Sequence, residues 1–188
     1  MSSVDANYRF IAASNEVNAR IAQRQQTLAI YVTLVLGLVA ALFGFRTGVS
    51  TTGGTLPIQT LAFGFPIASI GLVLLNIRSE LTLRNLRSFL AALEQLDDAH
   101  LRLPSYNTER RWSESANRAR RLYDFTAAIL VLSSNAVALL ALARAFPSEM
   151  DTRSPVMWII GLVALICVAA LLCMPRLAYR PQAPHPAT

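Results

Sequence analysis

RSELTLRNLRSFLAALEQLDDAHLRLPSYNTERRWSESANRARRL, residues 78–122, decides how the rest of the chain is read. It is polar and rich in arginine, and it joins two pairs of long apolar runs. From 78 to 103 it holds neither glycine nor proline. Leu86, Phe89, Leu90, Leu93 and Leu96 recur at helical spacing. Glu80 with Arg84, and Asp98 with Arg102, have the i,i+4 spacing of favourable ion pairs. One helix is therefore expected to run on from the apolar residues before it. It ends near His100 to Pro104, and PSYNT turns the chain. Asn107 or Thr108 is the expected N-cap of the next helix, which feeds into the third apolar run.

Working outward, the first run is TLAIYVTLVLGLVAALFGF, residues 27–45. At 1.5 Å per residue it nearly matches a hydrocarbon core of about 30 Å. Gly37 with Ala41, and Ala40 with Gly44, form small-xxx-small pairs that would admit a close helix neighbour. A glycine-rich connection leads to the second run, 55–77. There Gly64 and Pro66 predict a mid-span kink that frees the carbonyl of Ala62. One face of this run carries Gln59, Ala62, Pro66, Ser69, Val73 and Asn76. The third run, 123–143, carries Asp124, Ala128, Val131, Asn135 and Ala138 on one face, with Ser133 and Ser134 adding polarity. Polar faces are costly against lipid, so both are expected to meet protein or water. Asn135 lies at a depth matching Ala62 and is expected to hydrogen-bond the freed carbonyl. The fourth run, 155–174, is almost wholly aliphatic, with Trp158 as an interfacial anchor. Cys167 and Cys173 fall within it, and lipid-side packing is the expectation for both. Residues 175–188 read as a disordered cytoplasmic tail.

Residues 1–26 are polar, with Val4, Tyr8, Ile11, Val17 and Ile21 approximating an apolar stripe that needs a partner. No glycine or proline separates this segment from the first run, so one helix is expected to include both. This lead is too long and too acidic for a cleaved leader.

Composition agrees with membrane residence: 54% of residues are hydrophobic and the formal charge is +6, with a mean hydropathy of +0.42. All 17 basic residues are arginine. Residues 1–26, 78–122 and 175–188 hold 3, 9 and 2 of them, against 3 in the two short connections. By the positive-inside rule both termini and the central segment are cytoplasmic, in a plasma (inner) membrane. The expected fold is an all-α integral membrane protein: four transmembrane helices in two hairpins, extended by a cytoplasmic helical bundle.

Chemistry is harder to find. The two cysteines are not spaced as a metal pair, and His100 and His185 are isolated. No nucleophile has a base beside it, and no glycine-rich phosphate loop is present, so neither an enzyme nor a cofactor or metal is expected. Asp124 reads in two ways. It pairs with Arg120, Arg121 or Arg78 where helices leave the bilayer, or it serves a proton or cation at the inner mouth of a pore. Arg110, Arg111, Trp112, Arg118, Arg120 and Arg121 form a candidate patch for an anionic partner. The positive-inside rule already accounts for arginines there, and six acids in the same segment weaken the case for nucleic acid.

The polar positions Gln59, Pro66, Ser69, Asn76, Asp124, Ser134 and Asn135 suggest a pore-lining or interhelix face, and hence a homo-oligomer in the bilayer. Three function classes follow. The first is an oligomeric channel or membrane-permeabilising effector controlled by its stalk, a form similar in shape to compact bacterial membrane effectors. The second is a non-conducting anchor, sensor or accessory subunit that recruits a soluble cytoplasmic protein. The third, a small transporter, has the least support, because the hairpins show no repeat.

Overall fold

The computed structural model describes residues 6–46, 61–96, 105–145 and 155–181. Among them every regular element is a helix. They are α1 (Ala6–Arg46), α2 (Gly64–Glu94), α3 (Arg110–Ala145) and α4 (Pro155–Cys173), with a 3-10 turn at Met174–Arg176. All four α-helices are long and apolar enough to cross a membrane.

The chain divides into two compact units. An arginine-rich unit comprises Met1–Gln25, Asn76–Tyr123 and Met174–Thr188, and an apolar unit comprises Gln26–Leu75 and Asp124–Cys173. Helices α1, α2 and α3 each contribute residues to both.

In the apolar unit each helix buries one stripe. Phe65, Ser69, Leu72 and Val73 of α2 turn inward, as do Ala127, Ala128, Val131, Asn135, Ala138 and Leu142 of α3. On α4 the buried positions are Ile160, Ala164, Cys167 and Leu171, spaced by four, three and four. Leu42, Ala62, Phe65, Ala138, Leu142 and Ile160 form the core. Most of the exposed large side chains are Leu, Ile, Val and Phe, which suit a hydrocarbon solvent, and Thr33, Thr126 and Ser133 are exposed beside them.

Two expectations, on the glycines and the cysteines, need correction, and the second run has a break of its own. Leu61 and Ala62 are helical, Phe63 is a turn residue, and α2 starts at Gly64. Pro66 lies in the first turn of α2, and the helical run is interrupted at Phe63, three residues before the proline that lacks an N–H for the Ala62 carbonyl. Gly37 and Gly44 do not receive a neighbouring helix, since a Cβ at either would meet nothing within 4 Å. The close approach is at Gly64, where a Cβ would sit 2.8 Å from Leu38 Cδ2. Cys167 is buried inside the unit rather than on its outer side, while Cys173 is exposed.

In the arginine-rich unit, Leu83, Leu90 and Ala91 of α2 are buried apolar positions, with Ala13 of α1 and Met174 after α4. Tyr8, Ile11, Ile21, Phe89 and Leu96, all assigned to buried stripes by periodicity, are exposed. The polar residues Arg24, Asn76 and Glu80 occupy interior positions instead.

The turn before α3 also departs from its expected chemistry. Glu94 accepts the Asn107 amide N–H at 3.0 Å, Asn107 Nδ2 at 2.8 Å and Thr108 Oγ1 at 3.1 Å. Neither Asn107 nor Thr108 caps α3. Glu109 immediately precedes the helix; its carbonyl accepts the Ser113 N–H, and its side chain accepts the Ser105 N–H. A charged acceptor on α2 takes these donors because charge-assisted bonds are the stronger ones. The C-terminal segment is held by Asn117 Nδ2, which donates to the Tyr179 carbonyl at 3.1 Å. Burial, and then the nearby Glu94 carboxylate, push the Tyr179 phenol above its ordinary pKa against an opposing pull from Arg87.

Candidate functional site: two buried polar clusters

Helical periodicity brings polar residues of α1, α2 and α3 to the interior of each unit. In the apolar unit the cluster is Tyr31, Ser69, Ser134 and Asn135. Asn135 Nδ2 donates to Ser69 Oγ at 2.9 Å and to the Val131 carbonyl at 2.8 Å. The Val131 carbonyl fixes the amide orientation, because only the NH₂ end can face it. Ser69 donates to the Phe65 carbonyl at 2.9 Å and Ser134 to the Val131 carbonyl at 3.1 Å, each within its own helix. With both serine protons so placed, the Tyr31 hydroxyl donates to Ser134 Oγ at 2.7 Å and lies 3.3 Å from Ser69 Oγ.

Tyr31 thereby links three helices through a single hydroxyl. Its position was missed in the sequence because a lone tyrosine in an aliphatic run resembles core filling. Asn135 Oδ1 is buried without a hydrogen-bond partner among the described residues. The expected Asn135 bond to the Ala62 carbonyl gives way to the bond with Ser69. Asp124 belongs to this unit and is buried. Gln59 lies outside the described residues.

In the arginine-rich unit the cluster is Arg24, Asn76, Glu80, Arg120 and Tyr123. Arg24 Nε donates to Asn76 Oδ1 at 3.1 Å, and its Nη1 lies 3.5 Å from Glu80 Oε2. The same Glu80 oxygen pairs with Arg120 Nη2. The Arg24 guanidinium also stands over the Tyr123 ring, 4.4 Å from its centroid, and the Tyr123 hydroxyl donates to the Arg24 carbonyl at 2.8 Å. Glu80 is 1% exposed, so its two arginines replace water as the source of solvation. The i,i+4 pairing expected between Glu80 and Arg84 is displaced by these interhelical contacts. The Asp98–Arg102 pair lies outside the described residues.

The candidate anionic-partner patch is divided by the fold. Arg110 pairs with Glu114 at 2.6 Å, and Arg111 pairs with Glu109 at 2.7 Å while stacking 4.9 Å from the Trp112 ring. Arg118 and Arg121 are exposed, whereas Arg120 is turned inward to Glu80. Two of the six residues are thus matched by neighbouring acids and a third by a buried one.

These arrangements hold helices together and provide hydrogen bonds. Among the described residues no group of three or more histidine, cysteine, aspartate or glutamate side chains is placed to hold a metal. No protein-family model, curated protein or solved structure matches the chain.

Proposed function

We propose that this protein is a non-conducting integral membrane anchor, its arginine-rich unit on the cytoplasmic side and its role the recruitment of a soluble protein to the bilayer. The observation that carries this reading is the enclosure of the polar faces. Ser69, Asn76, Asp124 and Asn135, the positions best suited to line a pore, are all buried within one chain. A conducting assembly needs such groups on a wet axis between or within subunits. Here the serine protons go to helix carbonyls, and Tyr31 and Asn135 bond to the serines. The exposed large side chains of the apolar unit are mostly Leu, Ile, Val and Phe, which suit a lipid-facing surface, with Thr33, Thr126 and Ser133 exposed among them.

Exposed Tyr8, Ile11, Phe89, Leu96, Tyr106 and Trp112 on the arginine-rich unit supply a second support. A water-facing unit with this much apolar surface is suited to a protein partner. The positive-inside distribution of arginine supports the cytoplasmic placement of that unit and both termini. Homo-oligomerisation is compatible with the apolar outer faces, but Ser69, Asn76, Asp124 and Asn135 are covered without a second copy.

The test is electrical. Purified protein reconstituted in planar bilayers is expected to leave the bilayer silent across ±150 mV. Asn135→Asp, which charges the buried cluster, is expected to lower stability without opening a current. Discrete single-channel steps from the wild-type chain that change in size with Asp124→Ala would overturn the anchoring reading in favour of the oligomeric channel.

A further inference from the structure

We propose that the exposed face of α2 between Arg78 and Leu96 is a docking surface for an acidic amphipathic helix of a soluble protein. This rests on the anchoring reading and names the chemistry of the recruited partner. Leu81, Phe89 and Leu96 are 43%, 46% and 47% exposed, and Ala92 between them is exposed as well. At 100° per residue the four fall within a sector of about 80° that also holds exposed Asn85, and they extend about 20 Å along the helix direction. Leu96 continues the trace two residues beyond the last helical position. A stripe of this width and length matches the i, i+4 ridge of a partner helix of about four turns.

The charge on the face selects the partner. Its exposed charged residues are Arg78 and Arg84. The two acids of the same stretch point elsewhere. Glu80 is enclosed with Arg24 and Arg120, and Glu94 is occupied by Asn107 and Thr108. The next acids in the chain, Asp97 and Asp98, lie outside the described residues. The face is therefore largely apolar, with Asn85 within it and two arginines as its exposed charges, complementary to a helix with a leucine ridge and glutamates beside it. A second copy of this chain is a poor occupant. Copies held in one membrane meet this face in parallel, and a symmetric contact then sets Arg84 against Arg84.

The test uses the full chain in phosphatidylcholine nanodiscs and two fluorescein-labelled peptides of 18 residues. Both carry the same leucine ridge, one with glutamate at its remaining positions and one with lysine. Fluorescence anisotropy is expected to show saturable binding of the glutamate peptide only. Phe89→Ser and Arg84→Glu are each expected to weaken it about tenfold or more, about 1.4 kcal/mol or more. Equal binding of both peptides, or affinity unchanged by Phe89→Ser, would overturn the proposal. A spontaneous Phe89→Cys cross-link between copies would assign the face to a second copy and overturn it too. So would displacement of the peptide by phosphatidylglycerol vesicles, which would assign the face to lipid. Failure here with a silent bilayer removes only the docking face, whereas single-channel current removes the anchor whatever the peptides do.

Discussion

Glu80 is the residue on which the interior of the arginine-rich unit depends most. Its carboxylate faces Arg24 from α1 and Arg120 from α3 while 1% exposed. Removing one partner of a buried pair leaves an uncompensated charge, so Glu80→Gln should cost about 3–5 kcal/mol. The half-exposed pair of Glu16 with Arg20 at 2.7 Å offers a control. There Glu16→Gln should cost no more than about 0.5 kcal/mol. Chemical unfolding in detergent, followed by circular dichroism, measures both, and equal costs would refute the assignment. Tyr179 gives a pH dependence at the same scale. Its phenol is raised in the folded chain, so the folded state holds that proton more tightly than the unfolded one does. The associated stability is complete below about pH 10, the ordinary phenol pKa, and is lost as pH rises through the folded value. Titration at 295 nm, comparing wild type with Tyr179→Phe, should show a late-ionising contribution that the variant lacks.

Among the elements, α4 was the most legible and α1 the least. An aliphatic run of nineteen residues (Pro155–Cys173) can only be an apolar helix. Its inward stripe was hidden because every face reads alike. Ala164→Leu on that stripe should overpack the interior and cost about 1–3 kcal/mol, whereas Leu162→Ala on the exposed face should be nearly neutral. Unfolding transitions of the two variants test this. In α2 and α3 the polar faces were readable because serine, asparagine and aspartate stand out among leucines; Ser69, Asn76, Asp124 and Asn135 are buried, Ser134 is half-buried and Ser133 is exposed. Partner choice was not readable. Local spacing proposed Arg84 for Glu80 and Ala62 for Asn135, but tertiary contacts supplied Arg24, Arg120 and Ser69. The N-terminal stripe failed for a related reason: the interior there admits Arg24 and Ala13 and leaves Tyr8, Ile11 and Ile21 outside. Glycine shows the same limit. Gly37→Ala should change stability little, while Gly64→Ala must move Leu38 and should cost on the order of 1 kcal/mol.

For the whole molecule, the proposed anchoring role would give the arginine-rich unit the contact with a soluble protein, while in the apolar unit each helix buries one stripe. Thiol labelling distinguishes inside from outside on α4. In detergent, methyl methanethiosulfonate should modify Cys173 promptly and Cys167 only on unfolding, since one is exposed and the other buried. Mass spectrometry of the modified chain gives the answer directly, and rapid modification of both would argue against the packing of α4.

The meeting of Arg24, Glu80 and Arg120 also bears on biosynthesis. A ribosome completes Glu80 long before it reaches Arg120, so the nascent first hairpin carries its carboxylate with only one of its two arginines. The first half is then an unfinished product, and a chain halted before α3 should be recognised as such and degraded. The same incompleteness makes the halves mutually adhesive. Fragments divided within 97–104, expressed together, should find one another and accumulate, while either expressed alone should not.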